Sequence, residues 1–424
     1  MVALARRTVV TGMGVLSPVG SDPASFWQAL LAGQSGIRHL TVIDSSRLPV
    51  QIAAELPDFD AKKFLDKKHQ RSLRLMARTV QLGVAAAQRM LDDAAYKPGV
   101  FDPFRFGIEF GAGMIATELT DLSRAAKSSM NCQPGMVSMT QWGEVGLKEI
   151  PPLWMLKYLP NMPACHVSII HDAQGPNNSI TESDVAGLLA AGEAYRILQR
   201  NLADFMLVGG CESKMNPLSL VRHTLFQPLS RHNSEPARAL RPFDAARDGT
   251  VLGEGATVLG FESLDSAQKR GVNIYGEIVG FAGGCDVKRE GKTLARVIRR
   301  ALQDAQITPD QVDHVNAHAQ GSVDHDPWEA RAIADVFGTS VPVVSYKPMF
   351  GHQGAGSGLM ELAVSLLALQ HGQLPGTLNC DSLDSACPIQ VHTGDPRPVS
   401  KPYALKLGYT ELGQCAALVV RRWE

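Results

Sequence analysis

VPVVSYKPMFGHQGAGSGLMELAVSLLALQ, residues 341–370, carries the reading that decides the fold class. Val341–Ser345 has the β-branched density of a strand, a glycine-punctuated loop follows, and Gly358–Gln370 is a strongly apolar helix. The scheme recurs on both sides. Arg7–Thr11 is a short β-rich run ending in Gly12-Met13-Gly14, Leu73–Met90 has the helical apolar period, and Phe106–Gly111 is a strand ending in glycine. Ile180 leads into a helix from about Asp184 to Gln199, followed by the buried-strand run Phe205–Gly209. Ile274–Phe281, Val312–Ala317 and Ala416–Arg421 read as further strands, and Thr293–Gln306 as a helix. Such alternation predicts an α/β layered protein. The two halves, residues 1–262 and 263–424, share an element order, which predicts a duplicated unit joined near Glu262–Arg270 and packed as one body. From about Ala116 to Cys165 a stretch rich in Met, Pro and Trp interrupts the first half and predicts a packing surface.

Composition narrows the function. Lys plus Arg (41) nearly balance Asp plus Glu (42) over 424 residues, so nothing global points to nucleic acid or an anionic membrane. No run of roughly 18 apolar residues occurs, and Thr, Gly and Pro interrupt the N-terminus too early for a signal peptide. The cysteines at 132, 165, 211, 285, 380, 387 and 415 are scattered without a CxxC pair. They read as reduced thiols of a cytoplasmic protein, not as a disulfide frame or a metal site.

Several segments together resemble the type II β-ketoacyl-carrier-protein synthases of the thiolase-like superfamily. They are RRTVVTGMGVLSPVG (6–20) with FWQALLAGQSGI (26–37), RPFDAARDGTVLGEGA (241–256), VDHVNAHAQGSVDHDPWE (312–329) and SYKPMFGHQGAGSG (345–358). The resemblance spans residues 6 to 421. It implies a five-layer αβαβα fold, a dimer that buries the 116–165 excursion between its subunits beside an edge strand at Phe205–Gly209, and an acyl carrier protein as partner. It implies no cofactor beyond the 4′-phosphopantetheine arm of that carrier, or CoA, bringing the substrate.

By the same resemblance, His318 and His352 are the two imidazoles that stabilise charge on a thioester oxygen, and Lys347 organises the site. Asp326 and Glu329 match an acidic pair in the first loop, with Glu329 the expected partner of Lys347. Gln320 and Ser322 stand where the family offers hydroxyls to the pantetheine arm, and only Ser322 keeps one. Gly408, Tyr409 and Thr410 open the loop matching the acyl gate and oxyanion hole. Lys67, Arg71, Arg74 and Arg78 fall on one helical face, with Lys68 beside them, and match a carrier-docking surface; an ordinary solvated basic face is the alternative.

The nucleophile departs from the pattern. Counting through GPNNSITESDVAG (175–187) places Asp184 where the family has its catalytic Cys, at the first turn of a buried helix. Thr181 to Asp184 also fits a helix-capping box, which would make Asp184 structural. Ser183 falls one residue early and should face away from the histidines. Three functions remain open: a non-condensing, chain-length-factor-like subunit paired with a Cys-containing synthase; an enzyme acting on acyl-carrier or acyl-CoA thioesters through Asp184, His318 and His352; and ordinary condensation. Relatives that decarboxylate carry a neutral Gln at the Cys position, whereas an ionised Asp184 would repel a malonyl carboxylate.

Overall fold

The computed structural model describes residues 6–130 and 135–424. Its first half runs β1 (Thr8–Leu16), α1 (Arg78–Asp93), β2 (Phe106–Ala112), α2 (Met162–His171), β3 (Asn177–Ile180), α3 (Ala186–Gln199), β4 (Phe205–Ser213) and β5 (Glu254–Ser263). The second runs β6 (Gly276–Cys285), α4 (Lys292–Asp304), β7 (Val312–Asn316), α5 (His325–Phe337), β8 (Pro342–Val344), α6 (Ser357–His371), β9 (Tyr403–Tyr409) and β10 (Gln414–Arg421). In space the strands lie β3-β2-β4-β5-β1 and β8-β7-β9-β10-β6, the same permutation twice. The senses match as well. β2 is parallel to β3 and β4, as β7 is to β8 and β9, and the remaining neighbours within each half are antiparallel. Thr8–Val10 of β1 pairs with Gly276–Ile278 of β6 and joins the halves into one mixed sheet.

Hydrophobic burial sets the layers. α3 and α6 lie between the two halves, each touching strands of both; α1 and α2 cover the outer face of the first half, α4 and α5 that of the second. α6 is buried at every residue from Ser357 to Leu369, which is why its sequence is apolar all round instead of striped. α1 is striped, with Val80, Val84, Ala87 and Leu91 buried and Gln88 and Arg89 turned outward. It lies so close to β1 that a Cβ on Gly14 would sit 2.0 Å from the Ala86 carbonyl oxygen, which accounts for the early Gly-Met-Gly. A second close approach seats α3. A Cβ on Gly187 would lie 2.7 Å from the carbonyl oxygen of Ala355, just ahead of α6.

Two expectations fail here. Leu73–Met90 is not one helix: Gln70–Leu75 is a separate 3-10 segment, the chain is extended at Met76 and Ala77, and α1 begins at Arg78. The break has a cause. Met76 and Ala77 are buried, and the Arg78 guanidinium is drawn inward to the buried Glu254, with Nε 2.6 Å and Nη2 2.7 Å from its oxygens. Arg78 therefore leaves the basic face. Phe205–Gly209 is also no edge. β4 lies between β2 and β5, and the edge of the first half is β3.

The 116–165 excursion forms a helix over Leu119–Ser128, short helical pieces from Met139 to Glu149, a 3-10 turn over Trp154–Tyr158 and the start of α2. Cys132 lies outside the described residues. The excursion leaves Met130, Met136, Met139, Leu147 and Met155 exposed. Among the described residues no helix is long and apolar enough to cross a membrane.

The α3 contact can be tested directly. Gly187→Ala should lower stability by ~1–3 kcal/mol in chemical denaturation, the usual cost of overpacking. Gly143→Ala, where a Cβ meets nothing within 4 Å, should be neutral. Equal stability of both variants with the parent would mean that α3 and the loop ahead of α6 separate freely.

Candidate active site

The turns that precede the two central helices, Ser183–Val185 and Gly354–Gly356, pack against each other. Ser183 has a left-handed backbone (φ 48°) and stays exposed, while Asp184 turns inward and is 3% exposed. Thr181 makes no capping bond to this turn or to α3, so the capping-box reading is corrected. The left-handed Ser183 carries the Asp184 carboxylate away from the helix amides and towards His352. Asp184 Oδ1 lies 3.1 Å from His352 Nε2, close but off the line of a hydrogen bond, and both atoms are otherwise without partners among the described residues.

His318 follows β7 and His352 follows the short helix Lys347–Phe350; both are buried. Their ring centroids are 5.6 Å apart and nearly perpendicular. Burial lowers the pKa of both rings, and the Lys347 charge lowers that of His318 further; Asp184 opposes the shift in each case. Both imidazoles are thus neutral at neutral pH, and His318 Nε2 has no hydrogen-bond partner among the described residues. For Asp184, burial works against ionisation. His352 foremost, then Lys214 and His318, nonetheless hold its carboxyl well below the usual range.

A charge cluster stands behind the histidines. Lys347 Nζ lies 2.5 Å from Glu361 Oε1 and donates to the His318 carbonyl. Lys406 Nζ lies 2.7 Å from Glu361 Oε2 and donates to the carbonyls of Asn316 (3.2 Å) and Ala317 (2.9 Å). The expected Glu329–Lys347 pair is corrected by this arrangement. Glu329 is committed to the chain itself, accepting the amides of His318 (2.7 Å) and Ala319 (2.8 Å), and Glu361 takes the lysine. Asp326 accepts three more amides, from Phe243, Gly321 and Ser322. Burial pushes Asp326 up to about 6 and Glu329 up to about 7, and brings Lys406 down to about 8. From the RPFDAARDG segment, the buried Arg247 donates to the carbonyls of Ser322 (2.9 Å) and Val323 (3.0 Å) and pairs with Asp384 at 2.6 Å. That segment is a clamp on the His318 loop.

Glu361 and Lys406 were missed in the sequence. Their signal was a lone charge inside an apolar run, LMELAV and ALKLG, which only a buried partner makes tolerable.

Over Asp184 opens a cavity of about 670 Å³, bordered by Met114, Glu212, Lys214, Phe226 and Glu411 among others. Of the predicted gate, only Thr410 lines it. Tyr409 packs its ring 4.4 Å from His318 and 4.5 Å from Trp328, and Gly408 faces Leu188. Ser322 accepts the His325 amide at the start of α5, and neither it nor the buried Gln320 reaches the cavity wall. Among the described residues no cysteine lines the cavity. Burial pushes Cys380 up to about 11 and Cys387 and Cys415 up to about 12, and raises Cys211 further. That is opposite to what an activated thiol requires. Lys67, Lys68, Arg71 and Arg74 are exposed around the Gln70–Leu75 turn.

Comparison with known proteins agrees with this architecture. Residues 5–267 match the N-terminal domain of beta-ketoacyl synthases and residues 275–381 the C-terminal domain. The chain is 34% identical over 426 residues to the 3-oxoacyl-[acyl-carrier-protein] synthase 2 of Coxiella burnetii, covering 98% of this chain and 99% of that one. Among solved structures it is similar to the ishigamide ketosynthase/chain length factor, with TM-score 0.87, 26% identity and coverage of 99% and 100%. It is also similar to a type II polyketide synthase acyl-carrier protein in complex with its ketosynthase bound to the hexaketide. There the TM-score is 0.84 and the identity 26%, with the same coverage.

Lys406→Met tests the charge cluster. Removing one member of a buried set leaves Glu361 undercompensated, so we expect a loss of ~3–5 kcal/mol in denaturant titration. A loss below ~1 kcal/mol would mean that Lys406 carries no charge where it lies.

Proposed function

Because this chain belongs to the β-ketoacyl synthase family, we propose that it is a non-condensing partner subunit, of the chain-length-factor kind, in fatty-acid or polyketide-type biosynthesis. One observation carries the reading. The group at the head of α3, facing both histidines, is the carboxylate of Asp184. Condensation needs a nucleophile there that can hold an acyl group as a thioester, and a helix N-terminus lowers a thiol's pKa for that purpose. A carboxylate offers no such chemistry, and the buried thiols elsewhere are pushed the wrong way. On this reading the scaffold pairs with a Cys-containing synthase through the exposed methionines of the 116–165 excursion. An acidic carrier protein docks on Lys67, Lys68, Arg71 and Arg74.

The unengaged Nε2 of His318, beside a neutral His352, favours a second reading: hydrolysis or decarboxylation of an acyl thioester by Asp184, His318 and His352. An ionised Asp184 weighs against malonyl decarboxylation, since two like charges 4 Å apart repel by ~4 kcal/mol at an effective dielectric of ~20.

Purified from its native host, the chain should bring down a stoichiometric Cys-containing synthase. Its intact mass should be unchanged after incubation with acyl-CoA and acyl-carrier donors. A stable acyl adduct on Ser183 or any cysteine would overturn the non-condensing reading, and a homodimer that hydrolyses acyl thioesters would favour the second.

The docking surface has its own test. Lys67→Glu with Arg71→Glu should weaken carrier binding, and raising ionic strength should weaken the parent in parallel, because such contacts are screened over ~8 Å at physiological salt. Unchanged carrier affinity would return these residues to ordinary solvated charge.

A further inference from the structure

The cavity over Asp184 holds a cation that the β-ketoacyl synthase reading does not use. Lys214 follows β4 directly, and its side chain is only 4% exposed, yet it lines the cavity. Among the described residues its one ion-pair partner is Glu212, at 3.9 Å, too far for a hydrogen bond. Glu212 already gives one oxygen to the Ala355 amide at 2.8 Å. An ammonium has three donors, and burying one without acceptors costs several kcal/mol unless something in the cavity takes them.

We propose that this cavity binds a small ligand carrying a carboxylate, seated between the Lys214 ammonium and the Arg222 guanidinium. Arg222 borders the same cavity, is exposed at its rim and has no ion pair among the described residues. His223, from the same wall, has Nδ1 2.7 Å from the Ser219 carbonyl, which leaves Nε2 to face a ligand. Asp184 excludes an anion from the floor of the cavity, so the ligand's charge must lie towards Lys214. Glu212 and Glu411 also border the cavity, and burial raises the pKa of both; Glu212 has one oxygen taken by the Ala355 amide, so it does not satisfy the Lys214 ammonium. Glu182 is exposed at the margin. The rest of the wall includes Met114, Ile115, Leu218 and Phe226, apolar surface that suits a short hydrocarbon body.

The ligand is thus amphipathic, with one carboxylate and a few carbons, supplied either as a free dicarboxylic acid or as a carboxyl-terminated acyl thioester. The inference holds whether or not the chain pairs with a synthase.

Calorimetric titration with glutarate, S-glutaryl-pantetheine and uncharged S-butyryl-pantetheine tests it. At least one charged probe should bind more tightly than the butyryl probe. Lys214→Met should weaken that probe at least about tenfold, the usual scale for a charged hydrogen bond. Arg222→Met should weaken it less, and butyryl affinity should not change. Glutarate binding alone assigns the free acid, and binding of the thioester alone assigns the acyl group. No preference for charge, or a Lys214→Met variant that folds and binds like the parent, overturns the proposal. Lys214→Gln, which keeps a polar head, guards against misfolding as the cause of a loss. Retention of the partner synthase by Lys214→Met would separate this result from the fate of the subunit reading.

Discussion

Glu361 holds two lysines at once, and the face that carries His318 is hung on that one carboxylate. It projects from α6, where every neighbouring residue is buried, and pairs with Lys347 from the end of β8 and Lys406 from β9. Through Lys347 it reaches the His318 carbonyl, and through Lys406 the carbonyls of Asn316 and Ala317. The end of β7, the middle of β9 and the segment after β8 are thereby fixed relative to one helix. Each lysine also donates to backbone carbonyls, and those bonds together with the shared carboxylate are what make the burial tolerable. Each ion costs several kcal/mol to desolvate, and only near-ideal pairing offsets it. Such a cluster adds little to net stability. Its effect is on geometry, because it ties the loops and strands around His318 to one helix.

The same constraint shapes the chemistry in front of it. With Lys347 behind His318 and all the surroundings buried, neither imidazole is favoured in its charged form, so both present neutral rings. Neutral imidazoles suit the stabilisation of a developing oxyanion. The group opposite them is the Asp184 carboxylate. An acidic side chain at the head of α3 is favoured by His352 foremost, then by Lys214 and His318, as a thiolate would be. The electrostatic setting that would activate a thiol therefore also keeps Asp184 ionised, where it acts as a fixed charge.

Much of this was legible in the chain. β7, β8, α6 and β10 stand within a residue or two of where their apolar runs placed them, because a buried element must be apolar and its limits are set by glycine and charge. The duplicated strand order follows from the repeat of the same alternation. Local reasoning failed where a tertiary contact overrode it. The helical period through Leu73–Met90 is interrupted because Glu254, 176 positions from Arg78, draws that residue inward. The partner of Lys347 was misassigned for a related reason. Glu329 and Glu361 are both acids near the right strand ends, and sequence spacing does not say which has its oxygens already taken by backbone amides.

The duplication also explains why the site lies where it does. α3 and α6 hold equivalent positions in the two halves and pack together in the central layer, so the turns that precede them must meet. Each turn is tightened by close backbone approach, with Gly187 against Ala355 and Gly354 against the carboxylate of Glu212. Asp184 and His352, at the two turns, are brought into a shared, buried space. The first half contributes Asp184 and the second His352, 3.1 Å apart. A charge at that point is sensed by both halves, since it bears on His352 and His318 on one side and on Glu212 and Lys214 on the other. A carboxylate there disturbs no layer of the fold. It places a permanent negative charge at the contact between the two repeats, and whatever enters the cavity must be arranged around it.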